Sequence, residues 1–247
     1  MPSPTQEQLN TINKFTQKDL DADQVYVFTS LSADTLPVER FGWFGNYFIR
    51  MSSKMLDDLK NSYRQGVGLL ASHNNNRLPF GRTFDADVKV DHVDGEPVET
   101  LYIDHYVVTH TKDEEGNRVP LRTEVNGMTT QDIVNHIDVG HTFDTSIGFA
   151  ITNPKCSICK NDIRDYEQCT HIPGLEYDVQ VGEEVEKQRC DIIADGGEGL
   201  ENSLVYAGAV DRAIIQNKRF SANSQDDTNP SLQEGVNSVE GNLYNVE

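Results

Sequence analysis

The chain has 247 residues, with 40 Asp and Glu against 21 Lys and Arg, a formal charge of −19. Binding to nucleic acid or to an anionic membrane surface needs clustered cations, so this balance argues against both partners. Hydrophobic residues make up 36 % of the chain, enough for one core at this length, and no run approaches the ~18 apolar residues of a membrane span. Met1 is followed by Pro-Ser-Pro-Thr-Gln-Glu, which lacks the cationic start and apolar centre of a secretory signal. The expected compartment is a reducing cytosol, where four cysteines serve as thiols or metal ligands rather than as disulfides.

Residues 1–24 are polar and acidic and read as a flexible arm carrying one short helix. Gln24 to Thr29 is β-branched and aromatic and predicts a strand. Ser52 and Ser53 are candidate N-caps for a helix whose Met55, Leu56, Leu59 and Tyr63 fall on one face, with Gly66 as its left-handed stop. Val67 to Ala71 is a short apolar strand that ends at Ser72-His73. Residues 83–91 alternate in polarity, Leu101 to Val108 follows as another strand, and the acidic stretch 111–118 is a surface turn. Thr129 and Thr130 precede a short capped helix that stops before Gly140. In the strand 143–151, Phe143, Thr145, Ile147, Phe149 and Ile151 share one face, and Asp144, Ser146, Gly148 and Ala150 the other. Leu200 to Tyr206 is the last strand, with a short helix expected near Ala209–Ile215. Residues 216–247 are polar and acidic and are expected to be disordered, since they cannot bury enough surface to offset their ordering entropy. Strands not separated by regular helices make the class α+β, mostly β.

Residues 153–190 break the alternation and hold all four cysteines. Cys156-Ser-Ile-Cys159, nine residues, then Cys169-Thr-His171 gives two close pairs of ligands, the pattern of a tetrahedral Cys3His zinc site. Four protein ligands leave no open position for water, so the zinc is expected to be structural. Cys190 is a spare thiol that can replace His171 as fourth ligand.

No Walker loop, H-E-x-x-H, G-x-G-x-x-G or G-x-S-x-G occurs. His73, at a strand end beside a loop, is well placed for general-base work. Ser146 sits on a strand two residues before Gly148, on the same face, where a missing side chain leaves room for a substrate backbone. Glu201 stands near the start of an apolar strand, where a carboxylate usually faces solvent. His92, His105, His110, His136 and His141 have weaker contexts and are assigned no role. Taken singly, each of the three candidates is better explained as an ordinary rim histidine, a packed serine and a solvated carboxylate.

The ordered set changes that balance. Leu69-Leu70-Ala71-Ser72-His73 with Pro79-Phe80-Gly81, then Ser146-Ile-Gly148-Phe149, then Glu201-Asn-Ser203-Leu-Val205 resembles the prohead maturation proteases of tailed bacteriophages, a family related in fold to the herpesvirus assemblins. The resemblance runs over about residues 65–215. It implies an assemblin-like strand-rich barrel with a zinc-binding insertion at 153–190, a protease domain over 25–215, and a serine endopeptidase. Ser146 would be the nucleophile, His73 the base, and Glu201 the residue that orients the imidazole. Assemblins use a second histidine there, but only His171 follows Ser146, and the zinc motif claims it. Asp144 and Asp191 stay open as third members, and the amides near Ala207-Gly208 are the positional choice for an oxyanion hole. Asn202 stands where the family is usually apolar. The implied substrates are scaffold and major capsid proteins, cut inside an immature phage head in the host cytoplasm; self-cleavage is left open, the acidic tail being either a tether to scaffold or a segment the protease removes. Self-association is open, and neither nucleic acid nor membrane is a partner. The alternatives are a non-enzymatic capsid or scaffold-associated protein with a structural zinc site, a zinc-ribbon interaction module, and a zinc hydrolase with an open coordination position.

Overall fold

In a computed structural model of the chain, residues 3–216 are described, except 126, 142, 143, 209 and 211. The helices are α1 (Gln6–Ile12), α2 (Ser53–Tyr63) and α3 (Thr130–Asp138). The strands are β1 (Val25–Asp34), β2 (Val38–Gly42), β3 (Gly45–Met51), β4 (Gly68–Ala71), β5 (Gly81–Val93), β6 (Glu96–Val108), β7 (His110–Lys112), β8 (Arg118–Pro120), β9 (Asp144–Ile151), β10 (Pro154–Cys156), β11 (Glu176–Val181), β12 (Glu184–Arg189), β13 (Ile192–Ala194) and β14 (Gly197–Val205). The class is α+β, mostly β. None of the described helices is long and apolar enough to cross a membrane.

The main sheet has six strands in the order β1-β6-β5-β4-β14-β9. Only β4 and β14 run parallel within it. That one crossover places the end of β4, and therefore His73, beside the chain of β14. A second sheet, β10-β13-β3-β2, joins the cysteine-bearing insertion to the hairpin β2–β3 through the parallel pair β13–β3. α2 buries Met55, Leu56, Leu59 and Tyr63 completely against one face of the main sheet. At about 1.5–3 kcal/mol per buried large apolar side chain, this stripe is a main anchor of the fold. Its start is fixed by Ser52 Oγ, which accepts from Met55 N at 3.1 Å. α3 packs Ile133 and Val134 into a second cluster with Phe28, Leu69, Phe80 and Leu204. The amino-terminal segment, expected as an arm, carries α1 and buries Leu9 and Ile12 in a cluster with Phe84 and Tyr106.

Two expectations are corrected. The edge strands β1 and β9 form no ladder with each other, so the sheet is not a closed barrel. Between them lies an extended segment where a helix was expected. Leu31 N donates to Ile214 O at 3.0 Å and Thr145 N to Ala213 O at 2.8 Å, with isolated bridges Ser30↔Ile215 and Asp144↔Ile214. A helix would spend its carbonyls on itself, whereas an extended segment satisfies the amides of both edges at once. Ala213 and Ile215 are buried there, and the compact unit ends at Ile215. The acidic tail read at 216–247 lies, apart from Gln216, outside the described residues.

Candidate functional site

β4 ends in a tight turn. Ser72 and His73 both have positive φ, 52° and 55°, a conformation that costs a side-chain-bearing residue about 1–2 kcal/mol. Two bonds from β14 hold the turn: Ser72 N donates to Leu204 O at 2.9 Å and His73 N to Ser203 Oγ at 3.0 Å. The His73 ring then meets Glu201, with Nδ1 2.5 Å from Oε1. Ser203 Oγ donates in turn to Glu201 Oε2 at 2.6 Å. Ser203 therefore binds the backbone of one partner and the carboxylate of the other, and it is fully buried.

A β-bulge between Gly199 and Glu201 sets the direction of Glu201. The bulge rests on Tyr63 of α2, whose hydroxyl donates to Glu201 O at 3.0 Å and Gly148 O at 3.3 Å. Burial, with the Glu201 charge adding to it, holds the Tyr63 hydroxyl well above its ordinary pKa, so it stays a donor. Gly148 has a different role from the one read in the sequence. A Cβ there would collide with Glu201 Oε1, so the space it leaves is filled by this carboxylate rather than by a substrate backbone.

Ser146 lies directly across the β9–β14 ladder from Ser203 and shares its face with Gly148 and Glu201. Opposed residues in such a ladder have Cβ atoms about 4.5–5.5 Å apart, so Ser146 stands one cross-strand step from the serine that holds His73. Its hydroxyl is half-buried and makes no hydrogen bond among the described residues. With Nδ1 on Glu201, the His73 nitrogen left over is Nε2, and the side chain is 44 % exposed. Thus Ser146, His73 and Glu201 gather on one face.

The other third-member choices are occupied. Asp191 accepts from Phe48 N at 2.8 Å and pairs with Arg189 Nε at 3.0 Å. Asp144 Oδ2 faces Gly208 N at 3.4 Å. That contact also commits the Gly208 amide, which the sequence had suggested for an oxyanion hole. Asn202 faces the interior, fully buried, with Nδ2 donating to Ser32 Oγ at 3.3 Å. Its polarity serves a buried serine pair, Ser30 and Ser32, rather than the site.

The insertion gathers a second constellation. The ligating atoms of Cys156, Cys159, Cys169 and His171 all lie within 4.8 Å of one another, a set that can hold a metal ion. Burial works against ionising Cys156, but the amides of Cys159 and Ile158 outweigh it and bring this thiol below its ordinary pKa. Burial keeps Cys169 up at about 11. Cys190 Sγ lies 3.7 Å from Cys156 Sγ, and burial together with that neighbour holds its thiol high. The insertion is tied to the hairpin β2–β3 through β13, through Asp191, and through Arg189 stacked 4.5 Å over the Phe48 ring.

Comparison with known proteins gives no match, whether to a family model, a curated protein or a solved structure. Sequence reasoning missed Ser203 and Tyr63. Ser203 could have been found from strand alternation, since it follows Glu201 by two residues and so shares its face. Tyr63 carried no signal beyond its place in an apolar stripe.

Proposed function

We propose that the chain is a serine endopeptidase of the prohead-maturation type. The observation that carries this reading is the 2.5 Å contact of His73 Nδ1 with Glu201 Oε1, on the face that also carries Ser146, whose hydroxyl makes no hydrogen bond among the described residues. A free serine hydroxyl is a poor nucleophile, and a hydrogen-bonded imidazole activates it by taking its proton. Glu201 holds the ring by Nδ1, which leaves Nε2 to take the Ser146 proton, and stabilises the imidazolium that forms as Ser146 Oγ attacks the peptide carbonyl. His73 then returns the proton to the departing amine, and water releases the acyl group from Ser146 by the same exchange. Scaffold and major capsid proteins are the proposed substrates, inside an immature phage head.

The metal proposed is zinc. Three sulfurs and one imidazole suit a tetrahedral zinc ion, and a filled set of four protein ligands makes it structural. Bound by Cys156, Cys159, Cys169 and His171, it would close an insertion whose own core is only a few side chains.

The test uses the full-length protein and its Ser146→Ala variant. A fluorophosphonate should label Ser146 of the parent and leave the variant unlabelled. Processing of co-expressed capsid and scaffold proteins should fall by about 10⁴–10⁶ in rate. Undiminished processing by the variant refutes the reading.

A further inference from the structure

A groove opens along the free edge of β9. Its cavity volume is about 70 Å³, and its lining includes Leu36, Val38, Ile49, Met51, Phe149 and Ser146. One wall is thus the β2–β3 hairpin, and the other is the strand that carries the proposed nucleophile. Partly exposed aliphatic side chains cover most of it; of its two charged members, Asp34 is turned inward onto Arg212 Nη1 at 3.3 Å and Arg40 donates to Glu39 O at 3.0 Å. The edge of β9 also has backbone to offer. Thr145 N points away from β14 to Ala213 O, and strand alternation turns the N–H groups of Ile147 and Phe149 the same way. Among the described residues β14 is the only strand paired in a ladder with β9, so these amides have no ladder partner.

We infer that this groove is the subsite for an apolar side chain of the peptide being cut, with Leu36, Val38, Ile49 and Met51 setting the preference. The occupant is an extended peptide segment, because the groove is continuous with the Ser146 position and because unpaired strand amides bind extended backbone. A peptide residue opposite Ile147 directs its side chain to the Ile147 and Phe149 face, into the groove, while its neighbour opposite Ser146 lies over the reactive face. The inference rests on the hydrolytic reading of Ser146, His73 and Glu201. An apolar pocket of this kind discriminates by ~10–200-fold for each methylene gained or lost. The preference should therefore be for an uncharged apolar side chain, graded by its size.

The experiment presents a degenerate peptide library to the full-length protein, with cleavage sites read by mass spectrometry and fluorophosphonate labelling measured in parallel. The parent should cut next to or near a fixed position that holds Leu, Ile, Met or Phe. Leu36→Arg, in a loop, and Val38→Arg, on the hairpin, should each move that preference toward Asp and Glu, lowering cleavage of the apolar peptides at least tenfold. Labelling of Ser146, whose small probe does not need the groove, should stay within about twofold. Ser146-dependent cutting without an apolar position, or an apolar preference that both Arg variants leave unchanged, overturns the subsite and spares the hydrolytic reading. A parent that neither labels at Ser146 nor cuts overturns both.

Discussion

Replacing Gly148 with Ala separates two uses of one small residue. The added Cβ would come within 2.9 Å of Glu201 Cδ and 3.0 Å of its Cγ, and closer still to Oε1. Ordinary carbon contacts begin near ~3.5 Å, so the carboxylate has to move by at least about half an ångström. It has room to do so outward, being 15 % exposed, and the move breaks the 2.5 Å contact with His73 Nδ1. Losing the orienting member of such a triad costs up to about 10⁴ in kcat, and a misplacement near 1 Å alone can cost about 10². Gly148→Ala should therefore lose about 10²–10⁴ in kcat, with KM nearly unchanged, read as peptide hydrolysis and as the rate of fluorophosphonate labelling. In a Glu201→Ala background there is no carboxylate to displace, so adding Gly148→Ala should change kcat by less than about twofold. A rise in KM alone, or a full additional loss in the double variant, would show that the glycine clears a path for substrate, and the reasoning about Glu201 would fall.

Ser203→Ala leaves the His73 amide and one Glu201 oxygen without their shared partner. It should lower kcat by about 10–100-fold through lost positioning, with recovery in Ser203→Thr, and equal activity of the Ala variant would remove Ser203 from the site. His105 is fully buried and stacked on Phe28; neither ring nitrogen reaches a hydrogen-bond partner, and the carbonyls of Ile103 and Phe28 offset only part of the burial cost, so its pKa is pushed down to about 3. The native state thus holds fewer protons than the unfolded chain below pH ~6.5. Stability from this residue is complete above that pH and falls by up to ~1.4 kcal/mol per unit as pH drops toward 3. His105→Phe should be about 2 kcal/mol more resistant to urea than the parent at pH 5, relative to the difference at pH 7, and parallel pH curves would refute the assignment. Cys169→Ser should abolish stoichiometric zinc binding, measured by mass spectrometry under native conditions, and should lower Tm; a variant that keeps one zinc per chain would exclude Cys169 as a ligand.

How much could be read from the sequence depended on how local the signal was. α2 was legible because its apolar spacing and its serine cap lie within one stretch, and the same holds for β9 and for the cysteine spacing. The hairpin β2–β3 was not foreseen: Phe41, Trp43 and Phe44 stay exposed, so its pattern lacks the buried alternation by which strands are recognised. The segment 213–215 read as helical because its geometry is dictated by the amides of two distant strands, which no local propensity reports. At the site, the residue types were visible but their meeting was not. His73 is brought to Glu201 by the parallel pairing of β4 with β14, a contact 128 residues long in sequence. Gly148 was noticed for its smallness, yet what fills the space arrives from another strand.

The place of residues 213–215 also bears on how the protein comes into being. On a ribosome, the rims of β1 and β9 are synthesised long before the few residues that bridge them. Until Ile215 clears the exit tunnel, the amides of Leu31 and Thr145 lack their native carbonyls and the groove lacks Ala213 from its lining. The two rims of the sheet are thereby joined only when the last stitch of the compact unit arrives.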